Sequence, residues 1–322
     1  MTTEQKDKTQ EHAADAAARE NELRFQASNR GGSLLQSKKL RRILGGIPAR
    51  LFVLVVLAIW TLPTIGLLVS SFRSQLAIME SGWWVALAEL VQFTNLDQWT
   101  VANYEQVINA DQMGTGFFNS VLITLPATVI PITMALFAAY AIAWMKFPGR
   151  QIFFVLIVGL LVVPLQMALI PVLSVYTRYQ INGTFVGMWL AHTGFGLPLA
   201  TYLMYGYVSS IPKSILESAF ADGATPWLTF TRLILPLSIP AIASFAIFQF
   251  LWVWNDLLVA LVFFGTRRPI VTTRLAELVG SRGQSWHVLT AGAFVSMVVP
   301  LIIFFSLQRY FVRGMMAGSV KG

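Results

Sequence analysis

Apolar residues gather in six long runs along the chain, and more polar stretches of varied length separate them. Each run is close to the roughly 20 residues that an α-helix needs to cross about 30 Å of hydrocarbon. We therefore predict an all-α integral membrane protein with six transmembrane helices. Their expected ranges are 51–71, 117–143, 151–173, 184–208, 240–264 and 290–311.

Several of these runs contain proline, which would break a helix in water. Within a membrane, neighbouring helices and Ser or Thr side chains satisfy the carbonyls that proline leaves without a donor. The expected helices are therefore kinked, and such kinks serve either packing or a gated pathway. The prolines concerned are Pro126, Pro131, Pro164, Pro171, Pro198 and Pro300.

The first 46 residues differ in composition from the rest of the chain. They are rich in Glu, Lys, Gln, Ala and Ser, and cannot bury enough apolar area to offset chain entropy. The first apolar run lies too far along the chain for a cleavable signal, so we expect a retained signal anchor. The predicted parts are a polar tail over 1–46, a six-span domain over 47–313 and a C-terminal tail over 314–322.

Lysine and arginine in short loops indicate the side of the membrane that each loop faces. A basic cluster before the first run predicts a cytoplasmic N-terminus, and the acidic loop 72–116 predicts the outer side. Six spans then return the C-terminus to the cytoplasm. The loop 265–289 disagrees, because it is basic although six spans place it outside. Its arginines are Arg267, Arg268, Arg274 and Arg282.

Composition supports a membrane location. The 322 residues are 56% hydrophobic and 12% charged, whereas soluble domains carry about 25% charged residues. The net charge of +8 fits loops that face anionic membrane lipid better than nucleic acid. The absence of cysteine excludes disulfides and thiolate metal sites. The sequence has neither a GxxxxGK[ST] phosphate loop nor an HExxH motif, so we expect no catalytic site, metal or cofactor on this chain.

The segment 209–240, between the fourth and fifth runs, is too polar and too rich in proline to lie in lipid. Its apolar positions recur at helical spacing before a turn signal, which predicts a short amphipathic helix ending in a turn. A second helical piece over 227–235 would lead to the membrane surface. Such a pair would offer an apolar ridge to a groove on a partner protein. The apolar positions are Ile211, Ile215, Ala219 and Phe220, and the turn signal is Asp222-Gly223.

Part of this segment has the order and spacing of a family signature. The residues are Glu217-Ser218-Ala219, Asp222-Gly223-Ala224, Phe230, Ile234-Leu235-Pro236 and Pro240. They resemble the EAA loop of binding-protein-dependent ABC importer permeases, with Ser218 where the family usually has alanine. The resemblance implies the fold of a type I ABC importer permease. It also implies that this loop is a cytoplasmic coupling helix, which docks into a cleft on a separate ATPase subunit.

The C-terminal residues 308–322 and Trp254-Asn255-Asp256 look like the smaller six-span permease of maltose-type importers. This resemblance implies the permease subunit of an ATP-driven importer of maltose or related alpha-glucosides in the cell inner membrane. The implied partners are a second permease, an ATPase dimer that holds ATP and Mg, and an extracytoplasmic sugar-binding protein. The tail residues Gly318 and Lys321 would contact the ATPase subunits, unless the tail is a frayed and inert end.

Two candidate sites have structural alternatives. Glu217 would pair with a basic residue of the ATPase, or it would close a capping box with Ser214 at the helix start. Asp256 would line the sugar pathway with Asn255 and Trp254, or it would accept structural hydrogen bonds near the outer interface. For His192 we expect a satisfied interior histidine.

Other functions stay open at this stage. The chain could be an ABC permease for amino acids, peptides or another solute class, or a membrane-embedded enzyme. It could also be a stand-alone secondary transporter, which would show inverted repeats and several mid-membrane charges. Neither an enzyme nor a stand-alone transporter accounts for the segment 209–240.

Overall fold

The computed structural model describes residue 19 and residues 48–265, 268–281 and 285–319. Most of the expected N-terminal tail and Lys321 therefore lie outside the described residues, whereas Gly318 lies in the last helix. Contacts divide the chain into two compact units, residues 1–66 and 67–322. Over the described residues the chain forms helices and turns, with one isolated β-bridge between Arg73 and Trp99. The predicted all-α fold is confirmed.

The helices are numbered in chain order. The first eight are α1 (Pro48–Ser71), α2 (Gln75–Glu80), α3 (Trp83–Val91), α4 (Ala102–Glu105), α5 (Met113–Trp144), α6 (Arg150–Gly159), α7 (Leu165–Arg178) and α8 (Phe185–Ser209). The others are α9 (Lys213–Ala221), α10 (Pro226–Thr229), α11 (Leu235–Leu237), α12 (Ile239–Trp254), α13 (Leu258–Phe263), α14 (Val271–Ser281) and α15 (Trp286–Ser319).

Within the described ranges, three helices are long and apolar enough to cross a membrane unaided: α1, α5 and the Trp286–Gln308 part of α15. Two bent pairs qualify when each pair is taken together. One joins Arg150–Val162 to Leu165–Arg178 at 105°, and the other joins Pro226–Leu237 to α12 at 67°. Helix α8 is less apolar, but its 25 residues would reach about 38 Å at 1.5 Å per residue.

Two expected spans are interrupted. The third run breaks at Val163, because the residue before Pro164 is kept out of the α conformation and α7 begins after that proline. The fifth run was expected to be one helix over 240–264, and this expectation is wrong. Helix α12 ends at Trp254, and α13 starts again at Leu258.

The centre of the second unit consists of α5, α8 and α12, which share two apolar clusters. The near cluster includes residues of the segment 209–240, and the far cluster includes residues of α7 and α13. The near cluster is Ile132, Ala135, Leu136, Ala139, Tyr140, Ala200, Met204, Val208, Ile211, Leu216, Phe230, Ile234 and Phe245. The far cluster is Ile123, Ala127, Leu169, Tyr176, Met188, Ala191, Val253, Val259, Ala260, Phe263, Phe264 and Ile270.

For three of the prolines within helices, a side-chain N–H group of another helix replaces the missing backbone donor. Proline has no N–H, so the carbonyl four residues before it lacks its usual partner. In each case a side chain of a different helix donates to that carbonyl, which confirms the expected repair by neighbouring helices. Donor, carbonyl and proline are Trp189, Leu122 and Pro126 (2.9 Å); Gln249, Ala127 and Pro131 (3.2 Å); Trp254, Ser296 and Pro300 (3.1 Å).

The loop between α1 and α5 is ordered around a buried arginine. The guanidinium of Arg73 donates to the Oε1 atom of Gln98 at 2.8 Å and to the carbonyls of Ser81 and Ala77 at 2.9 and 2.7 Å. Burial lowers the pKa of Arg73 from its usual value, and the Glu89 carboxylate opposes that shift. The fork of donors fixes α2 and the turn after it in one arrangement.

The structure accounts for two arginines of the basic loop 265–289. Arg268 lies over the rings of Phe185 and Phe264, with its Cζ atom 5.3 and 6.0 Å from their centroids. Arg274 pairs with Glu277 and also donates to Gln112. Both cations are used by the protein itself. Arg267 and Arg282 lie outside the described residues.

Candidate functional site

The first arm of the segment 209–240 is α9, which ends in a tight turn at Gly223. This glycine has a φ of +81°, a conformation that disfavours side chains with a Cβ atom. The N–H of Gly223 donates to the carbonyl of Phe220 at 3.0 Å, and that of Ala224 donates to Ala219 at 2.9 Å. These two bonds form a Schellman motif, which ends the helix as the sequence predicts.

The second arm starts at Thr225, whose hydroxyl accepts from the N–H of Leu228 at 3.3 Å and caps α10. A π-helical turn over Phe230–Ile234 and the short α11 follow. At Ser238 the chain bends by 67° and becomes α12. The segment is therefore directly continuous with one of the central helices.

The segment is anchored in the near cluster by a small number of apolar side chains. Leu216 of α9 is 1% exposed and is the principal contact of this helix with the core. Phe230 and Ile234 anchor the second arm. Ile215 and Phe220 are 39% and 44% exposed, so they form an outward apolar ridge of the predicted kind. The sequence pattern omitted Leu216 and grouped Ile211 with the ridge. That placement of Ile211 is wrong, because its side chain is 8% exposed and lies in the near cluster.

Aromatic residues of α5 hold the second arm. The ring of Phe230 stacks on Phe137 at 4.5 Å between centroids and contacts Tyr140 at 5.6 Å. The hydroxyl of Tyr140 donates to the carbonyl of Pro226 at 3.1 Å. Sequence reasoning missed these contacts, since Phe137 and Tyr140 lie within an apolar run and carry no local signal. The arm and the end of α5 therefore form one packed unit.

Glu217 lies on the outer surface of α9. Its carboxylate is 2.9 Å from the ammonium of Lys213, one helical turn earlier, and both side chains are exposed. The alternative of a capping box with Ser214 is wrong, because the N-cap of α9 is Pro212 and Ser214 is inside the helix. Exposed pairs of this type contribute little stability. Glu217 can therefore exchange Lys213 for a cation on another protein at little cost.

The remaining signature residues surround Glu217 or lie in the turn. Ser218 donates its hydroxyl to the carbonyl of Ser214 at 2.9 Å, within the helix. Ala219 is half-buried, whereas Asp222 and Gly223 are exposed. With Ala224 these residues make one continuous outer surface on α9 and its turn.

Trp254 and Asn255 lie at the end of α12. Trp254 is 2% exposed, and its ring contacts Phe250 and Phe117 with centroid distances of 5.9 and 5.5 Å. Its indole N–H donates to the carbonyl of Ser296, which Pro300 leaves without a backbone donor. Asn255 donates to the carbonyl of Leu251 at 2.8 Å. The structure thus places Trp254 among packed helices, and a pathway role for the two residues stays a prediction.

Asp256 lies in the break between α12 and α13. Its carboxylate accepts from the N–H groups of Val259 and Ala260 at 3.3 and 3.0 Å, which caps α13. This geometry agrees with the alternative of a structural acceptor. The Nε2 atom of His192 lies 3.9 Å from the same carboxylate. The expectation of a satisfied histidine is met only in part, since the Nδ1 atom of His192 has no hydrogen-bond partner among the described residues.

Residues 117–317 match the family described as binding-protein-dependent transport system inner membrane component. The chain belongs to this family. The match includes the whole segment 209–240 and five of the six expected spans. We refer to the protein below as the permease.

Curated relatives of the permease extend over nearly its whole described length. The osmoprotective compounds uptake permease protein GgtD of Synechocystis sp. is 56% identical over 277 residues, which cover 85% of this chain and 92% of that protein. The alpha-glucoside transport system permease protein AglG of Rhizobium meliloti is 42% identical, covering 84% and 96%. The trehalose transport system permease protein SugB of Mycobacterium tuberculosis is 32% identical, covering 69% and 82%.

A solved structure shares the fold. The permease matches a chain from the crystal structure of a bacterial ABC transporter involved in the import of the acidic polysaccharide alginate. The TM-score is 0.64, the sequence identity is 20%, and the match covers 84% of the permease and 97% of that chain. The fold expected from the resemblance, that of an ABC importer permease, is confirmed.

Proposed function

We propose that the permease is the transmembrane subunit of an ATP-driven sugar importer and couples a separate ATPase to alternating access. The observation that carries this proposal is the construction of the segment 209–240. It presents an exposed ridge on α9, it is packed into the central helices, and it continues into α12. A displacement of this segment by the ATPase would therefore be transmitted to the central helices α5, α8 and α12.

Alpha-glucosides are the substrate class that the relatives favour. AglG is described as an alpha-glucoside permease and SugB as a trehalose permease. Trehalose is itself a glucose disaccharide with alpha linkages, so both names describe one chemistry. GgtD is described as an uptake permease for osmoprotective compounds. Non-sugar osmoprotectants are therefore the competing substrate class.

The assembly that follows contains a second permease, an ATPase dimer and an extracytoplasmic sugar-binding protein. A bacterial alginate ABC transporter, a chain of which also matches the permease in fold, was crystallised in complex with an alginate pentasaccharide-bound periplasmic protein, which supports the last of these partners. ATP and Mg belong to the ATPase, and the permease itself is non-catalytic and binds no cofactor. Both termini and the segment 209–240 are assigned to the cytoplasm.

Individual residues have separate roles in this proposal. Glu217 pairs with a basic residue of the ATPase in place of Lys213, while Ser218 and Ala219 keep the docking surface small. Gly223, with Asp222 and Ala224, sets the angle between the two arms. In the C-terminal tail, Gly318 and Lys321 contact the ATPase subunits. The candidate pathway residues, at and just after the end of α12, are Trp254, Asn255 and Asp256.

The test is reconstitution of the complete importer in liposomes with its binding protein. We would measure ATP hydrolysis stimulated by maltose, trehalose or sucrose, and use glycine betaine as a non-sugar osmoprotectant. Alpha-glucosides should stimulate hydrolysis, and Glu217→Ala should fold but lose the stimulation, while Lys213→Ala should retain it. Stimulation by glycine betaine alone would reject the sugar assignment. Solute movement by the permease alone, driven by an ion gradient, would reject the importer assignment.

A further inference from the structure

The three central helices all pass from the near cluster to the far cluster at one level. On α5 the near cluster begins at Ile132, and the far cluster ends at Ala127. On α12 the last near residue is Phe245 and the first far residue is Val253. On α8 the change lies between Ala191 and Ala200. The core therefore has a boundary that crosses every central helix.

Several buried polar side chains lie at that boundary, including Thr128 of α5 and Thr193 of α8, and one of them links two of the central helices. Gln249 of α12 is buried, and its amide donates across to the carbonyl of Ala127 on α5. This is the carbonyl that Pro131 leaves without a donor. Gly196 of α8 makes the room, because a Cβ atom there would lie 2.6 Å from the Nε2 atom of Gln249. All three helices thus contribute to one hydrogen-bonded junction.

The hydrogen bond from Gln249 lies at Pro131, between the half of α5 that holds the segment 209–240 and the half that belongs to the far cluster. The half of α5 beyond Pro131 carries Phe137 and Tyr140, which hold the segment 209–240. The half before Pro131 belongs to the far cluster. A helix bends most easily where proline has removed a backbone hydrogen bond, so movement of the segment bends α5 at Pro131. The bond from Gln249 keeps α12 attached to α5 at that point.

We propose that Gln249 is a positioning residue for transport, which holds α5 and α12 together at the bend so that the near half moves the far half. Without this bond the segment 209–240 still moves, but the two helices slip at the boundary and ATP is hydrolysed without solute transfer. This inference rests on the proposed importer function. It adds that coupling efficiency depends on one side chain, remote from both the ATPase surface and Asp256.

The experiment measures sugar transported per ATP hydrolysed in the complete importer, with radiolabelled maltose or trehalose as the probe. Gln249→Met keeps the side-chain length and removes the donor. An interhelical hydrogen bond in a membrane changes an equilibrium by about threefold on average and up to roughly twentyfold. We therefore expect the ratio to fall about threefold, and at most roughly twentyfold, in this variant. General loss of stability would lower transport and hydrolysis together and leave the ratio unchanged.

Two further variants make the assignment specific. Pro131→Ala restores an N–H that bonds the Ala127 carbonyl within α5, so adding Gln249→Met to it should leave the ratio near that of Pro131→Ala alone. Gly196→Ala keeps the amide but displaces it, and should behave like Gln249→Met. The matched control is Trp189→Phe. It removes the donor to the carbonyl that Pro126 leaves free, and Pro126 lies on α5 like Pro131 but in the half that belongs to the far cluster. It should leave the ratio unchanged.

Thermal unfolding of the same variants in detergent separates this inference from the proposed function. If the bond exists, the effects of Gln249→Met and Pro131→Ala on the unfolding temperature are non-additive, whatever the solute is. If the wild-type importer moves no sugar, the proposed function is rejected, but the non-additive unfolding temperatures can still be interpreted. A wild-type ratio in Gln249→Met, or an equal loss in the presence and absence of Pro131, would overturn the inference.

Discussion

Replacing Leu216 with alanine tests how α9 is held to the permease. The side chain is 1% exposed and is packed with residues of α5 and α8 in the near cluster. The adjacent Ile215 is 39% exposed on the same helix and serves as the control. Both substitutions remove apolar atoms at neighbouring positions, so their difference reports on burial alone.

The magnitude follows from the burial of each side chain. Truncation of a buried leucine to alanine costs about 2–5 kcal/mol, and the cost is lowest where the site can collapse. Helix α9 is short and lies at the edge of the cluster, so we expect about 2–3 kcal/mol for Leu216→Ala. This value increases the population of detached α9 roughly 30- to 160-fold. For Ile215→Ala, we expect at most about 1 kcal/mol, or roughly fivefold.

Amide hydrogen exchange of the purified permease measures this population directly. Exchange within Lys213–Ala221 should accelerate strongly in Leu216→Ala and little in Ile215→Ala, with α8 unchanged in both. In the complete importer, Ile215→Ala should instead weaken binding of the ATPase, because Ile215 belongs to the outward ridge. Equal exchange in the two variants would refute the conclusion that Leu216 anchors the helix.

Three other substitutions test separate features. Gly223→Ala should cost about 1–2 kcal/mol of unfolding free energy from backbone strain. Steric overlap adds nothing, because no atom lies within 4 Å of the added Cβ. Thermal unfolding measures this cost, and an unchanged unfolding temperature would contradict the strained turn. Arg73→Lys should lower the unfolding temperature, since one ammonium cannot replace the guanidinium fork. Burial lowers the pKa of the lysine as it does that of Arg73, so the folded variant binds fewer protons than the unfolded one. Its stability should therefore increase as the pH rises toward the ordinary lysine pKa of about 10.4, unlike that of wild type; a flat profile would refute this. Asp256→Ala should cost about 1 kcal/mol by loss of the α13 cap and should also lower transport per ATP if Asp256 lines the pathway. Unchanged transport per ATP would reject the pathway role and leave the structural one.

Sequence reasoning succeeded where the signal is local. The apolar runs predicted the helical membrane fold, and Asp222-Gly223 predicted the turn that the Schellman bonds now show. Spacing within the segment 209–240 was enough to identify the family. Each of these signals is contained in about 20 consecutive residues or fewer.

Contacts between distant parts of the chain were not predictable in this way. Nothing in the sequence near Trp254 indicates that its N–H donates to a carbonyl 42 residues later, and its pathway role stays a prediction. The break before α13 was missed because Asn255 and Asp256 were interpreted as polar residues within one span, whereas Asp256 caps a new helix. Glu217 and Ser214 have the spacing of a capping box, but the N-cap of α9 is Pro212, two residues before Ser214.

The junction at Gln249 has a consequence for exchanging parts between related importers. A hybrid that takes α5 from one permease and α12 from another can combine Pro131 with a side chain that cannot donate, or a glutamine with a helix that has no vacant carbonyl. Either mismatch leaves a buried polar group unpaired. Grafts between such transporters should therefore carry Pro131, Gly196 and Gln249 as one inherited set, whichever solute the recipient imports.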